Sequence, residues 1–404
     1  MVKTENSKAE NIKYSKYGLQ QTLRVEPEGN ESGLLSARTF VVKDLFDVLG
    51  YKTGAGNSKW LELAEPASDH ASAVKGLLQA GAILVGKSQT DEFALSLDGI
   101  NEHYGTPLNS LYPERIPGGS SSGSAALVAA GMADFGLGSD TVGSIRVPAA
   151  YCGLYGFRPS HGVVPLDGVL PLGPSFDTVG WLSKNIELLR DTARVLIPES
   201  DSISADPLKV VISESHFQMV HESYREELIE IARKMTSCLG SVETTSFDTR
   251  VLDGMALTFS LIRSFEAWQY YRHFVDANLA AISKRTLPRL LEGKTVSLNE
   301  LEMARSNMSA ARKLIDTIVK PGTILCLPSI WNLPPKLDAI DSDLDFNRRQ
   351  NIRLTICSVL GGNPQIVMPV RLNKDTVLSI SFMGCRGEDL SLIEAAIKAN
   401  QLVS

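Results

Sequence analysis

Apolar runs of strand type alternate with segments of helical periodicity in the first half of the chain. Ala37-Arg38-Thr39-Phe40-Val41-Val42-Lys43-Asp44 is β-branched and aromatic and reads as a strand. Ala71–Gly81 carries apolar residues at helical spacing, and Ala82-Ile83-Leu84-Val85-Gly86 reads as a second buried strand. The apolar stretch Ala125–Ala133 is another helix. This alternation predicts an α/β layered architecture around a largely parallel or mixed sheet.

The pattern changes between about 201 and 322. Tyr224–Leu239 and Leu298–Val319 have apolar residues at helical spacing, with Leu287–Glu292 a shorter helical piece between them. Strand signals return at Thr323–Leu327 and Val377–Phe382. The middle lacks a clear flanking linker, so it is expected to be a helical elaboration of the same core. Residues 1–33 are polar and are expected to form a loosely attached arm, leaving 34–404 as the domain. A stretch of aromatic residues, Phe265, Trp268, Tyr270 and Tyr271, falls in the helical part and is expected to serve core packing.

Composition narrows the function classes. The chain has 404 residues, 43% hydrophobic and 21% charged, as soluble globular proteins do. Its net charge of −6 disfavours a large nucleic-acid footprint. No run approaches the ~18 apolar residues of a spanning helix, and the N-terminus lacks the apolar stretch of a signal peptide. The expected compartment is the cytoplasm, with no membrane and no nucleic-acid partner. Five scattered cysteines, without CxxC spacing, suggest neither a disulfide framework nor a zinc site.

Two serine-bearing segments carry the chemistry: Pro117-Gly118-Gly119-Ser120-Ser121-Ser122-Gly123-Ser124 and Gly138-Ser139-Asp140-Thr141-Val142-Gly143-Ser144-Ile145-Arg146-Val147-Pro148. Gly-Ser runs are commonly flexible linkers. This one leads straight into an apolar helix with Ser124 near its cap, so it is expected to be ordered. A serine hydroxyl is a weak nucleophile and needs a base and backbone donors for the developing oxyanion.

Gly119-Ser120-Ser121-Ser122-Gly123 formally matches the GxSxG nucleophile elbow, with Ser121 as nucleophile. An elbow follows a buried strand, whereas Leu111–Pro117 holds two prolines. None of the six histidines has a local signature, and HExxH is absent, which leaves no metal-hydrolase signal. Lysine is a recognised alternative base for serine. Lys43 ends the apolar strand Phe40-Val41-Val42, where burial would favour the neutral amine, although a solvated strand-end lysine is the ordinary alternative.

Phe40–Val48, Gly86-Lys87-Ser88-Gln89-Thr90-Asp91-Glu92-Phe93-Ala94 and the two serine segments, in this order, resemble the amidase signature family. The resemblance continues weakly to Pro328 and Gly361-Gly362-Asn363-Pro364. It implies a single large α/β/α layered domain around a mixed twisted sheet. It also implies a Ser–cis-Ser–Lys triad in which Ser144 is the nucleophile, Ser120 the bridging serine in a cis peptide and Lys43 the base. Thr141, Val142, Gly143 and Ser144 would supply oxyanion donors and contact the substrate, while Lys87 would not be the catalytic lysine.

Asp140 and Arg146 would position the nucleophile loop, and Ser121 and Ser122 would support theirs. Ser160-His161-Gly162 and Ser175–Gly180 would form wall and scaffold. Val142 departs from the Gly or Ala common in the family and is expected to narrow or shift the substrate range without removing the N–H donor. The implied activity is hydrolysis of a small carboxamide to an acid and ammonia through a seryl acyl-enzyme, with no cofactor and no metal. Within the family the phrases Asn101–Pro107 and Ser175–Trp181 look most like short indole-3-acetamide hydrolase-type amidases. A glutamine-hydrolysing subunit of a tRNA-dependent amidotransferase and a non-catalytic amidase-like scaffold are the alternatives. Dimers are frequent in the family, so a homodimer stays open.

Overall fold

The computed structural model describes residues 14–27, 33–198 and 208–403. Eleven strands form one sheet: β1 (Leu19–Val25), β2 (Thr39–Lys43), β3 (Ile83–Ser88), β4 (Phe135–Asp140), β5 (Tyr155–Arg158), β6 (Thr178–Ser183), β7 (Leu208–Ser213), β8 (Gly240–Thr245), β9 (Thr323–Pro328), β10 (Gln365–Asn373) and β11 (Thr376–Met383). Their order across the sheet is β1-β3-β2-β4-β6-β5-β10-β11-β9-β7-β8. The pairs β2·β3, β2·β4, β7·β8 and β7·β9 are parallel, while β4·β6, β5·β6, β5·β10 and β10·β11 are antiparallel, so the sheet is mixed. Together with the helices packed on it, it is a single α/β domain.

The strands that carry the serine chemistry, β2 and β4, pair in parallel with each other inside the sheet. All six residues of β4 are buried, and Phe40 of β2 stacks on Phe135 of β4 with centroids 5.3 Å apart. Burying such a side chain contributes about 1.5–3 kcal/mol each. Val41 faces the other way and packs with Ala125 and Val128 of the helix Ser122–Ala129. That helix is therefore held against the sheet directly above the serine run.

Two organisational expectations need correction. Residues 19–25 lie in the segment read as a loose arm, yet they form the edge strand β1, paired antiparallel to β3. Leu23 is buried there while Gln20 and Gln21 are half-buried and Thr22 is exposed, as suits an edge. The span 201–322 is also less purely helical than read, because β7 and β8 fall inside it and join the main sheet in parallel with β9. The remainder of that span does hold helices: Glu222–Thr236, Thr249–Ala277, Leu287–Thr295 and Leu298–Ile318. Residues 1–13 and 28–32 of the expected arm, and 199–207, lie outside the described residues.

Candidate active site

Lys43 ends β2 and is fully buried. Its Nζ donates to Ser120 Oγ at 2.7 Å and to Ser139 Oγ at 3.0 Å. Burial lowers this amine from its ordinary value to about 7, against the opposing pull of Asp91, Asp140 and Asp177. Near neutral pH a large share of the group is therefore the free base. By contrast Lys87, also buried, is committed elsewhere: it pairs with Asp44 at 2.9 Å and donates to the Lys52 carbonyl and to Thr53 Oγ1.

Ser120 follows a cis peptide bond from Gly119. The Gly119 position is closely approached by both carboxylate oxygens of Asp91, which a Cβ there would run into, so no larger residue fits. Asp91 N–H donates to the Ser120 carbonyl at 3.2 Å. One carboxylate oxygen accepts from Gly99 N–H at 3.0 Å while the other has no partner. Burial raises the Asp91 carboxyl to about 6, with Lys43 pulling the other way.

The second segment leaves β4 as a tight loop knotted onto Asp140. One oxygen of this carboxylate accepts from Gly143 N–H at 2.8 Å and from Arg146 Nη2 at 2.8 Å. The other accepts from Ile145 N–H at 3.1 Å and Arg146 Nε at 3.0 Å. Arg158 adds a contact at 3.1 Å. Burial alone would push the Asp140 carboxyl up, but the two guanidinium groups and the loop amides hold it well below the usual carboxylate range. Gly143 sits at φ +142°, a conformation that side chains disfavour. Its amide is engaged by Asp140, so its contribution is to the shape of the loop rather than to a free donor, which differs from the oxyanion role expected of it.

Ser144 lines a cavity of about 240 Å³ together with Thr141, Val142, Leu172, Phe259 and Ile352. Val142 is buried with its carbonyl accepting from Thr355 Oγ1 at 2.6 Å, and its side chain contributes to the cavity wall. Thr141 Oγ1 donates to Asp177 at 2.6 Å, and Asp177 also accepts from the Leu172 and Gly173 amides, tying the Ser175–Gly180 segment to the loop. Ser121 N–H donates to the Ser144 carbonyl at 3.2 Å, and its hydroxyl donates to the Ser139 carbonyl at 3.3 Å. The two serine segments are thus linked through their backbones, with Ser121 in the link.

The structure brings together Lys43, Ser120, Ser121, Ser139, Asp140, Arg146 and the Thr141–Ser144 loop. Ser139 and Asp91 were not singled out from the sequence, although both lie inside the quoted motifs. His103 is bonded to Glu92 and Ser58, and His216 to Ser213. Among the described residues no group of three or more His, Cys, Asp or Glu could hold a metal ion, and no helix is long and apolar enough to cross a membrane. Cys152, Cys326 and Cys357 are buried free thiols, and burial pushes each of them up.

The sequence profile of the Amidase family matches residues 15–393. The chain belongs to the amidase family. It is accordingly an amidohydrolase acting on carbon–nitrogen bonds. It is similar to Amidase 1 of Oryza sativa subsp. japonica, 32% identical over 389 residues, with 89% of each chain covered. It is also similar to the chloroplastic outer envelope protein 64 of Arabidopsis thaliana, 31% identical over 389 residues. In that case 89% of this chain matches 65% of the relative. A solved amidase structure shares the fold with a TM-score of 0.85 at 24% identity, covering 99% of this chain and 95% of that one.

Proposed function

We propose that this amidase hydrolyses a small carboxamide to a carboxylic acid and ammonia through an acyl-enzyme on Ser144. The observation that carries the reading is the buried Lys43 amine, lowered to about 7 and 2.7 Å from Ser120 Oγ, beside a cavity that opens onto Ser144. Neutral Lys43 takes the Ser120 proton as Ser120 takes that of Ser144, and Ser144 Oγ attacks the amide carbonyl. The N–H groups of Thr141, Val142 and Ser144 face the charge that develops on the carbonyl oxygen, a preorganised arrangement worth about 10²–10³-fold per donor. The proton then returns through Ser120 to the departing nitrogen, which leaves as ammonia. Water, deprotonated by the same route, cleaves the ester and restores Ser144. Each half-reaction balances without a cofactor.

Retention of Lys43, Ser120 and Ser144, with the first two in hydrogen-bond contact, favours catalysis over a scaffold role. The chain's operating place is proposed to be the cytoplasm, with a small-molecule amide as its principal partner. The test is ammonia release from a set of aliphatic, aromatic and indolic amides by the purified protein and by Lys43→Ala. Turnover by the first and none by the second is expected. Equal turnover by both would remove the lysine mechanism.

A further inference from the structure

A second cavity, of about 290 Å³, takes its walls from the helices Ser58–Leu63 and Thr249–Ala277 and from the loop that carries Leu170, and it shares no lining residue with the cavity over Ser144. Two half-buried aromatic side chains form one corner of it. Trp60 and Phe274 have ring centroids 5.1 Å apart and planes inclined at 69°. Rings set at such an angle let one guest lie against a π face of each. The corner is held in place, because Trp60 also meets Phe93 and Tyr271 edge to face, at 5.7 and 5.5 Å. Leu63 and Leu170 extend the apolar wall.

The charged groups of this cavity are acidic. Asp47 and Glu65 line it, and no lysine, arginine or histidine does. Neither carboxylate takes part in an ion pair among the described residues, because the cations around them are engaged elsewhere. Lys59 pairs with Glu62 at 2.7 Å, Lys52 Nζ donates to the Glu62 carbonyl at 3.0 Å, and the buried Lys87 pairs with Asp44 at 2.9 Å. Lys87 reaches Asp47 only through Thr53, whose Oγ1 accepts from Lys87 at 3.0 Å and donates to Asp47 Oδ1 at 2.7 Å. The Asp47 carboxylate is thereby oriented without being neutralised. Burial and the Asp47 charge together push the Tyr270 hydroxyl up, so the carboxylate acts on the aromatic side of the cavity.

This combination selects one class of guest. An anion would meet two like charges, and a neutral apolar molecule would leave both carboxylates unused. A hard metal ion asks for about six oxygen ligands, and among the described residues no group of three or more His, Cys, Asp or Glu could hold one. An organic cation satisfies both walls, since its charge faces the carboxylates while its methyl or methylene groups rest on the rings. The size also fits: a cavity of about 150 Å³ takes benzene, so this one admits a cation of choline's dimensions. The net charge of −6 favours the approach of cations from solution.

We propose that this cavity binds a small alkylammonium ion, with its charge set against Asp47 and Glu65 and its alkyl groups in the corner between Trp60 and Phe274. The inference does not depend on the amidase reading.

The experiment is a calorimetric titration at constant ionic strength, comparing choline with its neutral isostere 3,3-dimethylbutan-1-ol, in the wild type, Asp47→Asn, Glu65→Gln and Phe274→Leu. The wild type is expected to bind choline and not the alcohol. Asp47→Asn keeps an oxygen for the Thr53 hydroxyl and should weaken choline about 5- to 10-fold, with a smaller loss in the exposed Glu65→Gln. Phe274→Leu should weaken choline as well, through the lost π face. Phe274 packs on the core, so the two isosteric charge variants carry the test should that protein fail to fold.

Equal binding of choline and the alcohol would overturn the proposal. So would choline binding unchanged in both charge variants, or no binding of either choline or butylammonium by the wild type. A trimethyllysine peptide that binds more tightly than choline would assign the same chemistry to a modified protein tail and overturn the free-ion form. Since none of these readouts needs turnover, each outcome leaves the amidase reading as it stands.

Discussion

Titrating the protein from pH 5.5 to 10 perturbs the one group on which the proposed chemistry turns. Lys43 has its amine lowered to about 7 by complete burial. The neutral fraction of such a group is about one tenth at pH 6, about half at pH 7 and about nine tenths at pH 8. A lysine at its ordinary value of 10.5 would be neutral in only about 1 molecule in 3,000 at pH 7. The gap between the two values corresponds to about 5 kcal/mol of preference for the neutral form.

The direction follows from the sign. The amine is depressed, so the base form accumulates as pH rises through about 7, and kcat/KM for ammonia release should climb about tenfold between pH 6 and 8 and then level off. Lys43→Ala should lower kcat/KM by about 10²–10⁴-fold across the range. Asp91→Asn removes a carboxylate that favours the charged amine, and the limb should move to lower pH. The apparent value belongs to the coupled set of Lys43, Asp91 and the serines rather than to one residue. A rate that is level below pH 8 and rises through pH 10 would refute the reasoning, since it would mean an amine with its solvent value.

Further expectations concern the loops around Lys43. Ser120→Ala should reduce kcat by about 10²–10⁴-fold with little change in KM, read from steady-state ammonia release. Val142 walls the cavity, so Val142→Gly should raise kcat/KM for a bulky amide relative to a small aliphatic one by about 1–3 kcal/mol in discrimination. An unchanged ratio would mean that its side chain does not meet the acyl group. Asp140→Asn leaves Arg146 and Arg158 buried without their carboxylate, and urea unfolding should show a loss of about 3–5 kcal/mol.

Strands β2, β3, β9 and β11 were legible from their short apolar, β-branched runs, and β2 ends within one residue of where its run of Phe40, Val41 and Val42 stops, whereas β4, β6, β5 and β10 at the middle of the sheet were not marked as strands. The helix over the serines and the helix Leu298–Ile318, with its Ser297–Glu300 capping box, also follow their periodicity. Edge strands were not legible. Residues 240–244 of β8 are exposed and hold one apolar side chain, Val242, and β1 has a single buried residue, so neither shows a strand-like apolar pattern. The helix Thr249–Ala277 buries Leu252, Met255, Phe259 and Ile262 along one face and Ala267, Trp268, Tyr271 and Val275 along another, so no single apolar stripe marks it.

The site divides in the same way. Lys43, Ser120, Asp140 and Ser144 fall in short motifs, and it was the resemblance carried by those motifs that singled them out. Arg263, Arg289 and Arg348 meet only because three helices separated in sequence converge on the cavity, and an arginine in an amphipathic segment ordinarily reads as a solvated face. Asp91 needed the fold as well, because its meaning lies in its approach to Gly119 and its field at Lys43.

Covalent capture tests the central claim most directly. The protein is treated with a fluorophosphonate, digested, and the modified peptide sequenced by mass spectrometry. The account predicts a single adduct on Ser144, lost in Lys43→Ala because the nucleophile is no longer activated. An adduct on Ser121, with Ser144 unmodified, would restore the nucleophile elbow formed by Gly119–Gly123 and contradict the mechanism.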